Sequence, residues 1–182
     1  MGRDFFEVLG VARKYHLVTE ALEQRYKELS KQVHPDRFAK APPRERLQAV
    51  QKTTELNDAW RVLRDPVKRA EYILKLEGLD VADEKSSSVK ADPALLMDMM
   101  EKNEQLHEAR AAGAAATIVA LEEEVRAQRV EAMEAVHEGF TLYDNGDRSS
   151  LPEIAQALVA LRYHARFLEQ VEAWQSGKEL EL

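Results

Sequence analysis

An all-α chain in two parts is what the sequence predicts, and three observations carry that expectation. Apolar residues recur at spacings of three and four, runs of β-branched residues are scarce, and only 7 Gly and 6 Pro punctuate 182 residues. The division into two parts rests on the stretch VADEKSSSVKAD from Val81, polar, serine-rich and without periodicity. Such a segment marks a boundary, here a linker at 81–91 between a first unit, 1–80, and a second, 92–182. A chain of this length can bury only a modest core in each.

Taken in order, a short first helix runs from about Asp4 to Leu9 and stops at Gly10, the residue type that most easily takes a left-handed cap. Thr19 is a candidate cap for a second helix reaching Val33, with Leu22, Tyr26, Leu29 and Val33 on one face. Pro35 ends it by removing a donor and pushing its predecessor out of the helix. Pro43 suits the first turn of a third helix, in which Leu56, Ala59, Trp60 and Leu63 share a sector. Asp65-Pro66 then reads as cap and first helical residue of a fourth helix, ending at Gly78.

Beyond the linker, Asp92-Pro93 repeats that start, and Gly113 interrupts the helical run it opens. A long helix from about Ala115 to Tyr143 meets the turn cluster Asn145-Gly146-Asp147. Ser150 and Glu153 have the spacing of a capping box for a last helix reaching about Gln175. Three helices joined by short turns predict an antiparallel three-helix bundle.

Composition narrows the function classes. No window approaches the eighteen apolar residues of a membrane span, the start MGRDFFEVLG is unlike a secretory signal, and there is no cysteine, so a cytoplasmic location is expected. Residues 1–80 hold 16 Lys and Arg against 13 Asp and Glu, and the remainder 10 against 20, so the formal charge of −7 divides into +3 and −10. An acidic second half is a poor match for a phosphate backbone, and protein partners are expected in place of nucleic acid or membrane.

One tripeptide stands out: His34-Pro35-Asp36, between two amphipathic helices and followed by Arg37 and Phe38. Proline fixes the backbone there, so an imidazole and a carboxylate are presented together on a tight turn, a preorganisation that lowers the entropy cost of docking. Lys27 and Lys31, four apart and roughly opposite the apolar sector, project to one side, and Arg37 continues that side past the turn. A basic ridge of this kind steers an acidic partner. A lone lysine pair is usually only a solvated face; the neighbouring tripeptide favours recognition. No Gly-rich phosphate loop, nucleophile pattern or second polar cluster accompanies His34 and Asp36, so the chain is not expected to be an enzyme. His16, His107, His137 and His164 lack the spacing of a helical metal site, and neither metal nor cofactor is expected.

The order of these features, with Asp65-Pro66-Val67-Lys68-Arg69 after the third helix, resembles a J domain. More specifically KRAEYILKLEG, 68–78, followed by DPALLM, 92–97, resembles the HscB family of J-type co-chaperones of iron–sulfur cluster assembly, over nearly the whole chain. The cysteine-bearing zinc extension of some eukaryotic relatives has no counterpart among these residues. The resemblance implies a J domain that stimulates ATP hydrolysis by an HscA-like chaperone and a C-terminal bundle that binds an IscU-like scaffold. The chaperone-facing residues are then His34, Pro35, Asp36, Lys27, Lys31 and Arg37.

A second surface is visible on the helix opening at Asp92. On a 100° wheel Leu95, Met99, Leu106 and Ala109 cluster toward a bundle, whereas Leu96, Met97 and Met100 fall elsewhere, alongside Glu101, Glu104 and Glu108. Flexible methionines rimmed by carboxylates suit protein docking; the alternative is that Leu96 and Met100 pack against the first unit or another bundle helix. By resemblance these six are scaffold contacts. So is Tyr163, which points away from an inward stripe of Ile154, Leu158, Leu161 and Leu168; nearby Phe167 is an alternative. The remaining functional alternative is a general J-domain co-chaperone for unfolded clients.

Overall fold

Among the described residues, 3–81 and 89–177, the computed structural model contains seven α-helices and one 3₁₀ turn. Residues 82–88, most of the linker expected at 81–91, lie outside them. The chain divides into Met1–Leu76 and Glu77–Leu182.

In the first unit, α1 (Phe5–Leu9) opens on a capping box in which Asp4 Oδ1 accepts from the Glu7 amide at 2.8 Å and Glu7 Oε2 accepts from the Asp4 amide at 3.0 Å. Gly10 closes it at φ 65°. Helix α2 (Thr19–Val33) starts one position earlier than the sequence suggests. Its N-cap is Val18, whose carbonyl takes the Leu22 amide at 3.0 Å, so Thr19 is already helical and its side chain caps nothing. Helix α3 (Pro43–Leu63) packs against α2 through Tyr26 and Trp60, whose rings stack at 4.9 Å and 12°, and through Tyr26 Oη, which donates to Asn57 Oδ1 at 2.9 Å. Asp65 caps α4 (Pro66–Leu76), accepting from the amides of Val67 and Lys68 at 2.9 and 3.1 Å. The buried Arg69 guanidinium donates to the carbonyls of Leu63 and Tyr15, both at 2.6 Å, tying the segment before α2 to the end of α3.

The second unit contains α5 (Pro93–Ala112), α6 (Ala115–Asp144) and α7 (Leu151–Gln175). Cross-helix bonds give their directions. Asp98 meets Gln128 and Lys102 meets Glu124, while Gly139 meets Ser150 and Glu122 meets Gln175, so α6 runs antiparallel to both neighbours. Met99, Leu106 and Ala109 of α5, Ile118, Leu121 and Val125 of α6, and Phe167 and Val171 of α7 form one buried cluster.

The capping box expected at Ser150 and Glu153 does not form. Ser150 takes a helical conformation, and its buried hydroxyl donates at 2.9 Å to the carbonyl of Gly139 on α6. The hydroxyl donates across to the neighbouring helix and accepts from no amide of its own first turn. Gly139 marks the close crossing itself, because a Cβ there would lie 2.5 Å from Ile154 Cγ1. No helix among the described residues is long and apolar enough to cross a membrane.

Candidate protein-docking sites

Pro35 ends α2 at Val33, as its missing N–H requires, and the chain turns through one 3₁₀ turn, Pro35–Phe38. The turn is solvated. The His34 side chain is 53% exposed and that of Asp36 90%. The Asp36 amide donates to His34 Nδ1 at 3.3 Å, which ties the imidazole to the turn. The Asp36 carboxylate stands 3.5 Å from the same nitrogen, so imidazole and carboxylate are presented side by side. Recognition of a complementary charged surface fits this exposed pair.

The basic ridge is modified in detail. Lys27 and Lys31 are exposed, but Lys27 Nζ pairs with Glu23 Oε1 at 2.6 Å, one turn earlier on α2. Such an exposed i,i+4 pair is worth a few tenths of a kcal/mol, about 0.3–0.5, so a partner carboxylate can replace it. Arg37 is exposed yet folds back, its Nη1 donating to the Lys31 carbonyl at 3.1 Å. Its guanidinium caps the helix as well as extending the ridge.

On α5 the wheel separates as expected. Met99, Leu106 and Ala109 are buried and Leu95 packs against their cluster, while Leu96, Met97 and Met100 are 39%, 73% and 76% exposed. Glu101, Glu104 and Glu108 are exposed on the same helix, Glu101 accepting from Gln105 at 3.1 Å. On α7, Ile154, Leu158 and Leu161 are buried and Leu168 half-buried. Tyr163 does not stand clear of the bundle. It is half-buried against the core cluster, with the Arg166 guanidinium 5.9 Å from its ring centroid. Phe167, the alternative contact, is 1% exposed and belongs to the core. A 100° wheel separates these neighbours by angle but does not say how deeply the adjoining helices reach.

On the bundle-facing side of α5 lies a polar network that helix-face reasoning does not reveal. Lys102, buried between the core positions Met99 and Leu106, pairs with Asp98 at 2.5 Å and Glu124 at 2.8 Å. Burial pulls its pKa down, but those two carboxylates outweigh burial and hold it above the usual lysine value. Asp98 also accepts from Gln128 Nε2 at 3.2 Å. The signal in the sequence is the Asp98 to Lys102 spacing of four on a face otherwise apolar. Among the described residues no group of three or more His, Asp or Glu side chains could hold a metal ion.

Known proteins resemble each part and the whole. Residues 4–72 match the family model described as the DnaJ domain, and residues 91–172 that described as the HSCB C-terminal oligomerisation domain. Chaperone HscB from Vibrio cholerae is 30% identical, with 96% of this chain and 99% of that one covered and a TM-score of 0.74. Human co-chaperone protein HscB is 28% identical, covering 95% of this chain and 82% of that one, with a TM-score of 0.76. The Jac1 co-chaperone from Saccharomyces cerevisiae, at 20% identity, 100% and 99% coverage and a TM-score of 0.69, shares the fold.

Proposed function

The chain belongs to the HscB family of J-type co-chaperones of iron–sulfur cluster assembly, and we propose that it binds an IscU-like scaffold and hands it to an HscA-like ATPase whose hydrolysis it stimulates. The observation that supports this reading is that two exposed surfaces of different chemistry occur, a polar turn with basic neighbours in the first unit and an apolar face with carboxylates alongside in the second.

On the first, His34 and Asp36 are offered together on the proline-fixed turn, and Lys27, Lys31 and Arg37 add the positive field that draws in an acidic chaperone surface. The second presents Leu96, Met97 and Met100 as apolar anchors, with Glu101, Glu104, Glu108 and Tyr163 completing the scaffold contact. With no cysteine among the 182 residues, cluster thiolates come from the scaffold, and the cluster is cargo.

ATP turnover by the chaperone, measured with this protein and with the scaffold, each alone and together, tests the reading. The two together should stimulate more than either alone. His34→Gln should abolish stimulation without changing helicity or scaffold binding, since the side chain sits on an exposed turn. Undiminished stimulation by that variant would remove the role given to the turn.

A further inference from the structure

The end of α2 is held from outside the helix. Pro35 has no N–H, so the Lys31 carbonyl loses the donor a continuing helix would supply. The Asp36 amide turns to His34 Nδ1 at 3.3 Å and the Arg37 amide to the His34 carbonyl at 3.1 Å, so neither serves the preceding turn. Side chains substitute. Arg37 Nη1 donates to the Lys31 carbonyl at 3.1 Å, and from α3 the hydroxyl of Thr53 stands 3.0 Å from the Val33 carbonyl and 2.8 Å from that of Ala49.

A hydroxyl has one proton to give. The Ala49 carbonyl lies inside the α3 ladder and has a helical donor; the Val33 carbonyl lies at the end of α2 and has lost its own. Val33 is bonded to His34, so whatever holds its carbonyl fixes the peptide plane from which the imidazole departs. Thr53 is suited to do so, being β-branched and stiff at χ1 on a helix stacked against α2. We infer that Thr53 is a positioning residue for the chaperone-facing turn, its hydroxyl holding the Val33–His34 peptide in the orientation that presents His34 and Asp36 together. This rests on the proposal that the turn docks on the chaperone. Thr54 provides an internal control, because its hydroxyl reaches only the Val50 carbonyl of its own helix, at 3.1 Å.

The test is chaperone ATPase stimulation titrated with the full chain and four variants: Thr53→Val, Thr53→Ser, Thr54→Val and His34→Gln. Folding is followed by circular dichroism and activity expressed per folded molecule. Thr53→Val keeps the shape and deletes the proton, so the turn spends less time in the docking geometry. The half-saturating concentration should rise roughly three- to tenfold, the scale of one hydrogen bond. Thr53→Ser should restore it, Thr54→Val should match the wild type, and scaffold affinity should not move. Wild-type titration by Thr53→Val alongside an inactive His34→Gln overturns the role of Thr53 and leaves the docking turn standing. Equal impairment in Thr53→Ser or Thr54→Val overturns it too, since the cross-helix bond would not be the cause. Full stimulation by His34→Gln would instead remove the docking reading on which the inference rests.

Discussion

His164 is buried on α7, where Asp98 and Lys102 of α5 and Arg129 of α6 act on it. Burial is the largest influence and lowers its pKa, Asp98 opposes, and the two cations add to the lowering, so the folded bundle favours neutral imidazole. The unfolded chain, titrating near 6.5, takes up the proton first. Stability is therefore complete above about pH 6.5 and is lost as pH falls from there through the folded pKa. Denaturant unfolding at pH 7.5 and 5.5 should show a larger loss for the wild type than for His164→Gln; carboxylates common to both cancel in the comparison. Equal losses would place the acid sensitivity elsewhere. Single-residue detail of this kind is what the sequence shows least. Leu96, Met97 and Met100 were legible as a separate face because the wheel angle is set within one helix. The burial of Phe167, the partial burial of Tyr163 and the bond from Thr53 to Val33 depend on a second helix and leave no mark at the residue's own position.

Element boundaries were legible wherever the signal was covalent. Asp65-Pro66 and Asp92-Pro93 start helices, Gly10 and Gly113 end them, and Pro35 stops α2, because a missing N–H or a missing Cβ acts whatever surrounds it. Hydroxyl caps were not. Thr19 and Ser150 have the right chemistry, yet α2 starts a residue early and the Ser150 hydroxyl is taken by Gly139 across the α6–α7 contact. Gly139 itself carries a prediction. A glycine inside a helix costs roughly 1 kcal/mol against alanine, so on propensity Gly139→Ala should stabilise α6. The crossing reverses the sign, since the new methyl would stand 2.5 Å from Ile154 Cγ1, also approach the Ser150 side chain, and force α6 and α7 apart. We expect a net loss of about 1–3 kcal/mol in denaturant unfolding of the full chain, with the first unit's helicity unchanged. A gain in stability would mean that the two helices yield at this point.

At the scale of the whole molecule, a net +3 over residues 1–80 and −10 beyond them put opposite fields on parts that are proposed to meet different partners. If the two surfaces act separately, damage to one should leave the other's own activity intact. The sharpest case is replacement of Leu96, Met97 and Met100 together by alanine. All three are exposed, Leu96 least, so truncation removes little from the core, and exposed substitutions usually move folding by about 0.5 kcal/mol or less. Binding should respond differently, because buried apolar anchors dominate most interfaces. The triple variant should lose roughly 2 kcal/mol or more of scaffold affinity, about thirtyfold, by calorimetric titration. Single replacements of Glu101, Glu104 or Glu108, rim charges open to solvent, should each cost less. The triple variant should still stimulate the chaperone alone as the wild type does, through His34 and Asp36, while the extra stimulation produced by scaffold disappears. Loss of stimulation by the co-chaperone alone would show that the two surfaces are not independent. Unchanged scaffold affinity in a folded variant would place the scaffold contact on another face of the bundle.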